Sequence, residues 1–130
     1  MWYRKAAEGG DDCAQRRLAA AYESGDLGLK IDVHVALDWY RKAAMGGHAD
    51  AQRRLGKACE FSHLGLAIDL LLALMWYQKA AEGGNDDAQL RLAEAYEEGE
   101  FGLVTDVKKE LKWYQKAAEG IEAATEGAEA

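Results

Sequence analysis

The sequence predicts an all-α fold: an α-solenoid of antiparallel helix pairs, three repeats of 37 residues plus a partial N-terminal helix. Three observations carry that expectation. Trp2, Trp39, Trp76 and Trp113 lie 37 residues apart, each followed by Tyr, then Arg or Gln, then Lys-Ala-Ala, and a fixed period of that length marks a stacked-repeat architecture. The 130 residues contain 25 Ala and 15 Leu but only seven Val and Ile together, a balance that favours helix over strand. There is no proline and there are 14 glycines, so glycine makes the turns.

Residues 2–8 read as an amphipathic helix that lacks a preceding partner, the second half of a unit. Full units then follow at about 11–47, 48–84 and 85–120, within one domain spanning 1–120. The first helix of each unit opens on Ala-Gln, at Ala14-Gln15, Ala51-Gln52 and Ala88-Gln89. Ala14, Leu18 and Tyr22 recur at i, i+4 and i+8, one stripe of a 3.6-residue period. Ala19, Gly56 and Ala93 share a position that is always tiny, the mark of a close helix crossing. Gly25 and Gly99 end this helix in a left-handed cap, and Ser62 in their place predicts a looser end. Asp32, Asp69 and Asp106 start the second helix, accepting from free backbone N–H groups. Its buried stripe is Val33, Ala36, Leu37, Tyr40, Ala43 and Ala44, with Trp39 on its flank, and the Trp and Tyr residues read as core. Gly9-Gly10, Gly46-Gly47 and Gly83-Gly84 stop it. Beyond Gly120 no Ala-Gln-x-x-Leu follows, so residues 121–130 read as either a degenerate capping turn or disorder. A start at the Trp of a second helix reads as a segment of a longer array or an engineered module.

These residues resemble a known family. Ala-Gln-x-x-Leu-Gly/Ala-x-x-Tyr, a glycine loop, Asp, then Ala-x-x-Trp-Tyr-x-Lys-Ala-Ala is similar to the Sel1-like repeat, a tetratricopeptide-like unit. It stands here at residues 14–44, 51–81 and 88–118. The loop Gly25-Asp26-Leu27-Gly28-Leu29 is one residue longer than the family's usual one. Cys59 replaces a Tyr, Ser62 a Gly and Glu110 an Ala. The resemblance implies adaptor proteins that assemble complexes, with no shared catalytic residue to carry over. A subset of the family bridges two cysteines within each repeat, a pairing this chain lacks.

The residues themselves point away from catalysis. Ser24 and Ser62 are the only serines and both sit at helix ends, outside any nucleophile-elbow sequence. The glycines form no phosphate-cradling loop. Cys13 and Cys59 occupy different repeat positions, as do His34, His48 and His63, so no recurrent metal site emerges, and no enzyme or cofactor is expected. Cys59 reads as a small buried hydrophobe. A net charge of −7, from 16 basic and 23 acidic residues, argues against nucleic acid as a main partner. No apolar stretch approaches the ~20 residues of a membrane span, and Met1-Trp2-Tyr3-Arg4-Lys5 does not open like a signal peptide.

Two surfaces stand out. Arg16 and Arg53 share one repeat position and Arg17, Arg54 and Arg91 the next, with Lys57 nearby. Stacking turns them into a basic ladder on the inner side, suited to an acidic peptide because guanidinium groups fit carboxylates. The competing reading is pairing at i,i+3 or i,i+4 with Glu23, Glu60, Glu94 and Glu97. Leu71, Leu72 and Met75 form an apolar patch on the second helix of the middle unit, where the last unit has Lys108, Lys109 and Lys112. Such a patch marks self-association or partner docking. The expected role is a protein-interaction scaffold; the rivals are a structural or engineered module, and an enzyme or small-molecule binder.

Overall fold

Seven helices follow one another in a computed structural model that describes the backbone of residues 2–129 and the side chains of residues 4–120. They are α1 (Trp2–Glu8), α2 (Asp12–Ser24), α3 (Val33–Met45), α4 (Ala49–Phe61), α5 (Leu70–Glu82), α6 (Asp86–Glu98) and α7 (Val107–Glu129). Each helix packs on its neighbours in chain order, so α2/α3, α4/α5 and α6/α7 are the three helix pairs and α1 the half unit before them. The expectation for the tail, residues 121–130, falls outside the described side chains.

Side chains cap every helix start from α2 to α7. Asp11, His48 and Asn85 hold one repeat position and accept from the N–H of Ala14 (2.8 Å), Ala51 (3.3 Å) and Ala88 (2.9 Å). For the second helices, Asp32 accepts from His34 and Val35, Asp69 from Leu72, and Asp106 from Lys108 and Lys109, satisfying donors that a helix start leaves free. At the other end Gly25 and Gly99 are left-handed, with φ of 83° and 71°. Ser62 adopts the same conformation at φ 60° without being glycine. Its Oγ donates to the carbonyl of Leu66 at 2.8 Å, a local bond that holds the turn.

Between first and second helices the chain carries a second left-handed pair: Leu27-Gly28, Leu64-Gly65 and Phe101-Gly102 all have positive φ. Leu64 and Phe101 are buried, so apolar burial offsets the backbone cost of a non-glycine residue there. The loop then returns to its own helix, where the N–H of Asp32, Asp69 and Asp106 donates to the carbonyl of Tyr22, Cys59 and Tyr96. A backbone acceptor tolerates any side chain, which is why Cys59 can stand where its sister units carry tyrosine.

The core is a row of small residues around one recurrent leucine per unit, joined by Leu37, Leu64 and the rings of Tyr40, Tyr77, Tyr96, Phe101 and Trp113. Leu18, Leu55 and Leu92 are at most 2% exposed, each contributing roughly 2–3 kcal/mol of burial. At the α4/α5 crossing a Cβ on Gly56 would lie 3.2 Å from the Tyr77 ring and 3.3 Å from the Ala73 carbonyl, so only a very small residue fits. Gln15, Gln52 and Gln89 are buried, and each Nε2 donates at 3.0 Å to the carbonyl of Ala7, Ala44 or Ala81. The glutamine of Ala-Gln thereby pins each first helix to the end of the unit before it.

Two expectations about burial need correction. Val33 is exposed at the first turn of α3, because the stripe facing the core starts at Ala36. Trp39 and Trp76 are half-buried rather than enclosed, and Lys42 and Lys79, one turn on, lie 4.4 and 5.2 Å from their ring centroids. An edge tryptophan covered by a lysine keeps its apolar body dry and its cation solvated. Trp113 is buried, and Trp2 lies outside the described side chains.

Candidate functional site

The arginine ladder divides into two rows with different fates. The carboxylate of Glu23, on α2, receives Nε of Arg54 at 3.2 Å, its Nη2 in a very short contact, and the Tyr40 hydroxyl at 2.9 Å. One unit on, Glu60 receives Nε of Arg91 at 3.2 Å, its Nη2 at 2.5 Å, and the Tyr77 hydroxyl at 2.8 Å. Glu100 takes the same guanidinium through two further bonds of 2.9 Å. Arg91 also lies 3.6 Å from Glu94, at i,i+3. The main pairing is therefore between repeats, over 31 residues, rather than along one helix. These forks tie each first helix to the unit before it.

Electrostatics follow from that geometry. Burial pushes the Glu23 carboxyl up, but the hydrogen bonds from Arg54 and Tyr40 outweigh it and hold it below the ordinary glutamate value. The Glu100 carboxyl is also held low, chiefly by the Arg91 hydrogen bonds. Tyr40 is pushed up to about 12 by burial and by donating to Glu23.

The other row, joined by Arg17 and Arg91, lines open grooves. Arg53 and Lys57, on α4, line a groove of about 700 Å³ whose opposite wall is α6. Phe61, Tyr77 and Arg91 contribute to it, together with Glu60, Asp87, Glu94, Glu98 and Glu100. Nε of Arg53 is buried without a hydrogen-bond partner. Arg16 and Arg17 lie together in a neighbouring groove of about 430 Å³ between α2 and α4, with Asp11, Cys13, Ala14, His48 and Asp50. The structure thus brings Arg53, Lys57 and Arg91 together, and Arg16 with Arg17, and places Arg54 in the interface behind them. Phe61, Glu98 and Glu100 were not among the residues the sequence singled out. The constant 31-residue offset from Glu23 to Arg54 and from Glu60 to Arg91 was the signal that could have revealed the ion pairs.

On the outer side Leu71, Leu72 and Met75 are all exposed, Leu71 the most at 74%. Leu70 lies beside them, also exposed. Cys13 and Cys59 are unbridged thiols, exposed and buried respectively, and burial pushes the Cys59 thiol up. Asp11, Asp12 and Cys13 have ligand atoms within 4.8 Å of one another, but Asp11 is already committed to capping α2. Among the described residues no helix is long and apolar enough to cross a membrane.

Stacked antiparallel helix pairs with a recurring interface fork and grooves between the first helices define a helical-repeat protein. The chain belongs to the Sel1 repeat family, whose pattern matches residues 1–11, 14–48, 49–85 and 86–120. Members of that family are generally interaction scaffolds. The structure is similar to a crystal structure of a Sel1 repeat protein from Oxalobacter formigenes, with a TM-score of 0.84 and 37% identity over 90% of this chain and 86% of that one. It is also similar to a protective antigen with an SLR fold present in uropathogenic Escherichia coli strains, with a TM-score of 0.75 and 39% identity. That match covers 91% of this chain but only 25% of the antigen. No curated protein matches the chain.

Proposed function

We propose that the chain is a protein-interaction scaffold that holds a segment of a partner protein in the groove between α4 and α6. The observation that carries this is an open groove of about 700 Å³ between α4 and α6, lined by Arg53 and Lys57 together with acidic residues. The two walls differ in charge: Arg53 and Lys57 stand on α4, and Asp87, Glu94 and Glu98 on α6. A carboxylate of the partner segment sits against Arg53 and Lys57, and a basic side chain of the same segment faces α6. Phe61 supplies apolar contact between them. Arg16 extends the α4-like wall into the neighbouring groove. Arg54 and Arg91 support this reading only indirectly, as the forks that hold the walls in place.

Phage selection of random peptides on the immobilised chain tests the proposal. Enriched sequences that pair an acidic with a basic residue, and that lose binding to Arg53→Glu while tolerating Arg53→Lys, support it. Absence of enrichment, or equal binding to Arg53→Glu, rejects it.

The exposed Leu70, Leu71, Leu72 and Met75 favour a second reading beside the first, self-association through the outer face of α5.

A further inference from the structure

We infer that two copies of the chain pair through the outer faces of their second helices, about a two-fold axis that runs along α5. This rests on the second reading above, self-association through α5, and gives that contact a geometry. Two columns of outer positions carry it, four residues apart on each helix and so on one face. Along the stack the first column is His34, Leu71 and Lys108, and the second is Asp38, Met75 and Lys112. All six side chains are exposed. His34, Asp38, Leu71 and Met75 are so although a further unit packs on theirs. This lateral face is therefore not one that stacking covers.

The second column runs from an acid through an apolar residue to a base. Among the described residues neither Asp38 nor Lys112 has an ion-pair partner. A two-fold contact brings one patch against itself, so that patch must be self-complementary. An axis along α5 lays α3 of each copy over α7 of the other. Asp38 then faces Lys112 twice, and Leu71 and Met75 meet their own counterparts at the axis. An axis along the stack instead sets Asp38 against Asp38 and Lys112 against Lys112, and opposed like charges cost affinity. Charge order thus selects the first axis, and it selects a second copy as the occupant, because an unrelated partner requires no such order.

The axis is set by α5 itself and not by the ends of the chain. Ile68 and Leu70, both exposed, extend the apolar surface at the start of α5. Glu82, exposed at its far end, would oppose its own copy. The two α5 helices therefore touch in their first turns and splay apart toward Glu82, as helices that cross at an angle do.

Sedimentation equilibrium of the full chain tests the arrangement, at about 0.05 M salt, where exposed charges are weakly screened. Each variant is first confirmed folded by circular dichroism. The expected result is a monomer–dimer equilibrium that Asp38→Lys and Lys112→Asp each weaken about tenfold, since either change reverses two contacts per dimer. Combining the two substitutions exchanges the charges and restores the dimer. Arg53→Glu leaves it unchanged. A monomer at every concentration up to about 1 mM, where affinity is negligible, overturns this inference and self-association through α5 together. A dimer indifferent to both reversals, or one that their combination fails to restore, overturns the paired geometry while self-association stands. A dimer lost in Arg53→Glu moves the contact to the groove and also overturns it.

Discussion

Glu23 lies between a tyrosine of its own unit and an arginine of the next, and its protonation is tied to folding. Its carboxyl and that of Glu100 are held below the usual glutamate range in the folded chain, against about 4.3 when unfolded. A depressed folded value contributes stability that is complete above the unfolded value and lost as pH falls through the folded one. Urea midpoints should therefore stay level from neutral pH down to about 5 and decline below about 4.5. Arg54→Gln should make that acid decline shallower, because Glu23 then loses the partner that lowers it. An unchanged acid slope in Arg54→Gln would contradict the assignment. Single residues also show how far sequence reading reaches. The always-tiny position at Ala19, Gly56 and Ala93 correctly foretold a close crossing, since no alternative accounts for three such residues in register. The capping role of Asp11, His48 and Asn85 was hidden because three residue types share one position.

At the scale of the element, the helices separate what periodicity reveals from what packing decides. The two-helix unit, its aspartate caps and its glycine ends were all legible in the 37-residue repeat. The burial of α3 was misjudged at Val33, because a helix's first turn can carry an apolar residue without pointing it at the core. Ser62 behaves as its glycine sisters do, because its hydroxyl finds a local carbonyl. α5 differs from its sisters chiefly in its outer face, where Leu70, Leu71, Leu72 and Met75 are exposed. If that face associates, size-exclusion with light scattering will show a concentration-dependent mass for the wild type and a monomer for Leu71→Lys/Leu72→Lys. The same mass for both proteins at every concentration would end that reading.

For the molecule as a whole, stability passes from unit to unit through interfaces rather than through one shared core, as expected of a solenoid. Arg91 is the main polar link between the second and third units, joining Glu60 on one side and Glu100 on the other. Arg91→Leu leaves the Glu60 side chain, 9% exposed, without its cation and should cost about 2–3 kcal/mol. Native-state hydrogen exchange should show the loss concentrated in α6 and α7, with α2 and α3 much less affected. An even loss across all helices would mean the chain unfolds as one unit. The repeat, the helix pairs and the location of the basic residues on the first helices followed from the sequence, because each depends on a local period that the chain states three times. Which arginines face a groove and which are locked between units was decided by the tertiary structure alone. Arg53 and Arg54 are neighbours in sequence, and on a helix a step of one residue turns a side chain by about 100°. That turn puts Arg53 on the wall of the groove and sends the guanidinium of Arg54 into the carboxylate of the preceding repeat.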